Sequence, residues 1–288
     1  MKVAVVTDST AYLPAAAAQA AGVRSVPLHV TIGGVDRFEG VDVGADEVAQ
    51  ALQAYTVVST ARPSPQAFLD AYEAAVADGA EAIVSVHISA AMSSTIQSAQ
   101  LAAAECSVPV EVVDSRLMAM AMGFAVLDAA AAAQRGASLE EVARMTREDC
   151  AASSGIFYVD TLEYLRRGGR IGAASAFLGS ALAIKPILSL QDGQISPLEK
   201  VRTTGRALAR LEELAVEAAA ALPAWSDRPQ IAVHHLGSPE KAAQLVDRLA
   251  ARVPDAGEIL LLELGAVVGA HVGPGTLAVV VAPSRRTD

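Results

Sequence analysis

Hydroxyl groups gather at residues 89–95, where Ser89, Ser93, Ser94 and Thr95 follow a short apolar run (81–88) and precede an Ala-rich stretch (96–105). The run is partly β-branched and reads as a buried strand; the Ala-rich stretch reads as a helix. A turn between them collects side-chain O–H groups and unpaired backbone N–H groups, with the positive end of a helix dipole behind. That is chemistry for an anion. Ser and Thr are also ordinary helix caps, so the local pattern alone leaves both uses open. More hydroxyls occur at Thr7, Ser9 and Thr10 around Asp8, at Ser59 and Thr60, and at Ser115 after Asp114.

Catalytic templates are missing. There is no Gly-x-Ser-x-Gly elbow, no His-Glu-x-x-His, no Walker-type loop and no Gly-x-Gly-x-x-Gly after the first strand. His29 and His87 fall inside apolar strands and read as sheet or core residues, while His234 and His235 alternate sides of a strand and so do not share a metal. His271 differs, because Gly269, Gly273, Pro274 and Gly275 surround it; this reads as a loop that approaches a ligand closely, where an imidazole donates to an anion. Arg170 is embedded in Gly-Gly-Arg-Ile-Gly and reads as an interface residue. Lys185 and Arg202 read as solvated charges, with partner docking as the sharper use. Cys106 and Cys150 have no Cys-x-x-Cys partner, so neither a disulfide framework nor a metal site is indicated.

The elements that must position these groups alternate. Residues 2–8, 25–32, 81–88 and 110–114 read as strands. Helices are expected over 14–21, 46–55, from Ser64 or Pro65, over 96–105 and over 116–134. Such alternation predicts an α/β fold with a four-stranded parallel sheet covered by helices on both faces. In such sheets ligands bind outside the C-terminal strand ends. Those ends carry Thr7 to Thr10, Ser89 to Thr95 and Asp114-Ser115, with Ser59-Thr60 in an irregular loop reaching the same rim. Ser138 and Glu141 complete a capping box.

The grammar then changes: a strand (156–160), a short helix (161–166), a glycine-rich basic turn (167–172), an apolar helix to Ile184, and a hairpin (187–201) turning on Asp192-Gly193. An amphipathic helix (205–222), strands over 229–236, 258–264 and 277–282, and a helix over 239–252 follow, predicting a mixed-sheet α/β domain. The domains are expected at 1–152 and 153–288, with the ligand at their interface.

Of the 288 residues, 52% are hydrophobic, ample for a large core, and the formal charge of -10 disfavours nucleic acid or an anionic membrane as partner. The apolar stretches 117–127 and 171–184 are shorter than a spanning helix, so no stable membrane insertion is expected. Met1-Lys2 leads directly into an apolar strand without a signal-peptide pattern, and a cytoplasmic location is expected.

Taken together, Val6 to Thr10 with Leu13-Pro14, Ser59-Thr60 with Pro63-Ser64, 89–99, Val113 to Ser115, 164–171, Lys185 to Leu188, and His271 with Gly273 to Gly275 resemble the DegV family of fatty-acid-binding proteins from end to end. The resemblance implies a buried long-chain fatty acid, of the palmitate or oleate kind, its carboxylate held by Thr60, Ser93 and His271. Ser94 and Arg170 would lie near the head group. It further implies no cofactor and no catalysis by this chain, but presentation of the acid to a separate ATP-dependent fatty acid kinase subunit, with Arg202 as a docking candidate. Two departures stand out: Ser94 replaces the family's usual Gly, and Ala61-Arg62 replaces Ser or Thr followed by Gln. The alternative from another class is a hydrolase using Ser93 with His271 on an acyl substrate.

A buried carboxylate is costly without hydrogen bonds. The Thr60 and Ser93 hydroxyls, a helix-start N–H and His271, neutral or protonated, would compensate it. The stretches 117–127 and 171–184 are the expected tunnel walls.

Overall fold

A computed structural model describes residues 1–178 and 184–285. The chain forms two compact units, one from Met1–His29 and Ala61–Ala151, the other from Val30–Thr60 and Ala152–Asp288. Residues 30–60, assigned from the sequence to the N-terminal domain, thus cluster with the second unit.

The first unit holds the four-stranded parallel sheet, ordered Arg24–Val26, Val3–Asp8, Ala82–His87, Val110–Asp114. All six residues of Ala82–His87 are buried, which an all-parallel sheet covered on both faces requires. Ser64 caps the helix Pro65–Ala77 by accepting from the Ala67 N–H (3.2 Å), and Pro65 occupies the first turn, where a missing N–H costs nothing. The Phe68 and Tyr72 side chains of that helix are fully buried. Every residue from Met120 to Val126 is buried, so the first half of the helix Met120–Gln134 is enclosed rather than amphipathic. It starts later than the sequence suggests. Arg116 and Ala119 take positive φ (57° and 54°), and the Ala119 N–H donates to the Thr10 carbonyl (2.8 Å), making residues 115–119 a turn.

The second unit holds a six-stranded mixed sheet, ordered Gln194–Val201, Lys185–Gln191, Ser154–Tyr158, Leu277–Pro283, Pro229–His235, Leu260–Glu263. Its hairpin turns on Asp192 and Gly193, both at positive φ (50° and 78°), as the tight turn demands. The helices Thr204–Ala220 and Pro239–Arg252 bury Leu208, Leu211, Leu214, Leu245 and Leu249 in its core.

A three-stranded sheet, ordered Val35–Phe38, His29–Ile32, Val58–Ala61, is not foreshadowed by the sequence reading. The single strand expected over 25–32 is two. Pro27, which has no N–H to give a ladder, separates Arg24–Val26 from His29–Ile32, and the following Leu28 N–H donates to Ser9 Oγ (3.1 Å). Ser59 and Thr60, expected in a loop, lie on the third strand. Of the apolar helix expected over 171–184, Gly172–Phe177 forms a short 3-10 helix, and residues 179–183 lie outside the described residues. Among the described residues no helix is long and apolar enough to cross a membrane.

Candidate functional site

His271 does not sit on a loop. The glycine-rich stretch folds into the helix Ala266–Val272, and the imidazole occupies its last turn. Two features build this helix from a sequence with little helical signal. The Val267 N–H donates to Oε1 of the buried Glu39 (2.7 Å), which satisfies an orphan amide of the first turn. Gly269 lets the helix settle close to its neighbours: a Cβ there would lie 3.3 Å from Leu236 Cδ2 and 4.0 Å from Val48 Cγ1. Val48 belongs to the helix Ala45–Gln53, whose Glu47 reaches back to the Gly44 N–H (2.8 Å).

The imidazole Nε2 lies 2.8 Å from Thr60 Oγ1, so two residues 211 apart in sequence form one polar pair. Its other nitrogen, Nδ1, is buried and has no hydrogen-bond partner among the described residues. Burial, reinforced by the positive charge of Arg170, pushes the His271 pKa down to about 4, so the ring is neutral near pH 7. Glycines on either side of it in sequence allow close packing around the pair. A Cβ on Gly168 would stand 2.1 Å from His271 Nδ1; on Gly273 (φ 76°), 2.0 Å from the Tyr164 ring; on Gly275 (φ 87°), 2.4 Å from Asp160 Oδ2. Arg170 donates to the Gly168 carbonyl (2.7 Å).

Asp160 accepts from the Tyr158 hydroxyl and from Lys185 Nζ (2.7 Å). Burial works against its charge, but the Lys185 and Tyr158 hydrogen bonds outweigh this and hold it below the usual carboxylate range. Thr60, His271, Gly168, Arg170, Tyr164 and Tyr55 line a cavity of about 350 Å³, at the small end of ligand pockets. Arg202 is exposed just ahead of the helix Thr204–Ala220.

In the first unit, the three hydroxyl clusters expected at the strand ends do lie after those strands, but most of their hydrogen-bonding capacity is used internally. Ser115 Oγ donates to the His87 carbonyl (2.7 Å), Ser89 Oγ accepts from the Ala91 N–H (3.2 Å), and Thr10 donates to Asp8; all three residues are buried. Ser93 is half-buried, its Oγ 2.8 Å from Thr95 Oγ1 and accepting from the Thr95 N–H (3.3 Å). Ser94 is exposed and its side chain does not cap the helix; its carbonyl accepts from Arg62 Nη1 (3.2 Å), which also donates to Gln97 Oε1 (3.0 Å).

A network missed in the sequence lies beneath them. The Tyr72 hydroxyl donates to Ser85 Oγ (2.9 Å), Ser85 Oγ lies 2.7 Å from His87 Nε2, and His87 Nδ1 lies 3.1 Å from Asp8 Oδ2. Serine, histidine and aspartate in this order resemble a nucleophilic triad, but all three are wholly buried. Burial pushes the Tyr72 phenol up to about 12, the Ser85 contact offsetting part of the effect. The i, i+2 spacing of Ser85 and His87 on one strand face was the available signal.

Among the described residues no carboxylate meets His271 Nδ1, where an acid orienting the ring for the hydrolase alternative would stand, and Nε2 is engaged by Thr60. No group of His, Cys, Asp or Glu among the described residues is arranged to hold a metal ion. A larger cavity, about 740 Å³, opens at the N-terminal edge of the parallel sheet, but its charges serve one another: Arg24 pairs with Asp78, and Lys2 Nζ donates to the Asp78 carbonyl (2.6 Å).

The family model for DegV, described as an uncharacterised protein family, matches residues 2–284. A DegV domain-containing protein of Streptomyces coelicolor is 50% identical over 279 residues, covering 97% of this chain and 98% of that protein. Two solved structures share the fold: a Thermus thermophilus DegV family protein described by its fatty acid binding (TM-score 0.92, 33% identity, 98% of this chain and 100% of that one), and Bacillus subtilis DegV, described as a fatty acid binding protein (TM-score 0.88, 32% identity, 99% and 100%).

Proposed function

The chain belongs to the DegV family, and from that premise we propose that it binds one long-chain fatty acid, of the palmitate or oleate kind, and acts in the cytoplasm as a non-catalytic carrier. The observation that carries this reading is the Thr60–His271 pair, a hydroxyl and a neutral imidazole held 2.8 Å apart on the wall of a cavity. Such a pair offers the neutral Thr60 hydroxyl, backed by the imidazole, to a carboxylate without a fixed counter-charge, and Ser93 is the other hydroxyl donor in this reading. Burying methylenes contributes about 0.8 kcal/mol each, so a chain of roughly sixteen carbons has a gross driving force on the order of 10 kcal/mol before ordering costs.

The carrier hands its carboxylate to a separate ATP-dependent kinase subunit, with Arg170, whose guanidinium influences His271, and exposed Arg202 as contacts for the transferring phosphate or the partner. Native mass spectrometry of the purified protein, followed by denaturing extraction, is expected to find one fatty acid per chain. Thr60→Ala combined with Ser93→Ala is expected to weaken oleate binding about 100-fold or more, since each hydrogen bond to a charged group is worth about 1.5–3 kcal/mol. An unliganded mass with no uptake of added oleate or palmitate would overturn the reading, and unchanged affinity in the double variant would overturn the head-group assignment.

A further inference from the structure

Among the described residues His271 Nδ1, which is buried, meets no hydrogen-bond partner, and what faces it is the Cα of Gly168, close enough that a Cβ there would stand 2.1 Å from Nδ1 and 2.9 Å from Cε1. A proton on Nδ1 would be a buried donor aimed at a C–H group, and orphaned buried N–H groups are among the rarest features of folded proteins. A bare lone pair in the same place is the less costly state. In a neutral imidazole one nitrogen carries the proton and the other accepts.

We propose that Gly168 is a positioning residue for the head-group site: by closing the Nδ1 edge of His271 it holds the imidazole in the Nε2–H tautomer, so that His271 donates to Thr60 and leaves the Thr60 hydroxyl proton for an anionic oxygen of the ligand. The direction of the Thr60–His271 bond decides what the site can take. With the proton on Nε2, Thr60 Oγ1 accepts from the ring and its own O–H points to the ligand as a polarised donor. With the proton on Nδ1, Thr60 would donate to Nε2 and turn lone pairs toward a carboxylate. Gly168 is the only residue type that fits, since any side chain collides with the ring, and Arg170, bonded to the Gly168 carbonyl (2.7 Å), braces the turn from its other side. Burial together with the Arg170 charge keeps the ring from becoming an imidazolium that would donate from both nitrogens.

This inference rests on the carboxylate reading above, and the experiment separates the two. Nitrogen NMR of the full-length protein with ¹⁵N-labelled histidine, the His271 signals assigned by their loss in His271→Gln, reads the tautomer directly at neutral pH. The expected result is a protonated Nε2 and an unprotonated Nδ1; a protonated Nδ1 overturns the proposal even if oleate binds tightly. Calorimetric titration with oleate then compares variants. His271→Gln keeps an N–H that can reach Thr60 and is expected to lose less affinity than His271→Ala, for which the loss is about tenfold. Equal losses in the two overturn the donor role. Gly168→Ala is expected to weaken oleate binding by at least as much as His271→Ala and to disturb the His271 signals; wild-type affinity in a folded Gly168→Ala protein overturns its positioning role. Where that variant fails to fold, the wild-type tautomer decides. A wild-type protein with the expected tautomer and no oleate binding refutes the fatty-acid reading and supports the tautomer assignment.

Discussion

Asp8 has no exposure to solvent, yet its two oxygens face four donors: the Thr10 N–H and O–H, the Ile88 N–H (3.0 Å) and His87 Nδ1 (3.1 Å). A carboxylate is acceptor-only, so His87 must carry its proton on Nδ1, and the chain Tyr72, Ser85, His87, Asp8 runs in one direction. Asp8→Asn keeps the shape and replaces one acceptor oxygen by an NH₂ that points at donors. The expected cost is about 3 kcal/mol or more, because a buried network loses partners for groups that stay buried. Urea unfolding checks it as a lower midpoint at unchanged slope, and a change below about 1 kcal/mol would contradict this account. The sequence showed Asp8 and His87 as members of strands and placed His87 in the core. Their meeting was hidden because it depends on the register of two strands 79 residues apart, which periodicity does not encode.

The helix Ala266–Val272 and the segment Glu163–Arg167 meet through glycines, and element-level reading failed there for a physical reason. Gly269, Gly273 and Gly275 suggest a loop because glycine is a poor helix former, while here they permit close packing and a sharp exit. Gly273 combines positive φ (76°) with a ring 2.0 Å from where its Cβ would be, whereas Gly237 has positive φ (63°) and open space. Gly237→Ala is therefore expected to cost only the backbone term, about 1–2 kcal/mol. Gly273→Ala adds overpacking of about 1–3 kcal/mol and should weaken the proposed fatty-acid binding by moving Tyr164 and the end of the His271 helix. Comparing both midpoints and both oleate affinities checks this; equal effects would show that Tyr164 yields freely. By contrast, the parallel sheet, the Asp192-Gly193 hairpin and the long helices were legible because their apolar periods and turn residues are local signals. Ser59-Thr60 was not, since its strand pairs with one that Pro27 cuts out of an apparently continuous run.

For the molecule as a whole, acid is the condition its buried histidines resist least. His234 is wholly buried and its pKa is pushed down to about 3 by burial, with neighbouring His235 adding to the effect; His271 is pushed down to about 4. Both lie below the unfolded value of about 6.5, so the unfolded chain takes up protons that the folded chain refuses. Stability is therefore complete above pH 6.5 and falls as pH drops through 6.5 toward 4, with His234 extending the loss toward 3. Asp160, held below its usual range chiefly by Lys185 against the effect of burial, changes stability in the same direction, beginning nearer pH 4. Urea midpoints measured from pH 7.5 down to 4 are expected to decline steadily from about pH 6.5. The decline should be shallower in His271→Gln, which removes one of the refused protons. A midpoint flat from pH 7 to 5 would mean that these imidazoles take up protons in the folded chain, and with that the neutral, donating His271 that the proposed head-group chemistry requires would be lost.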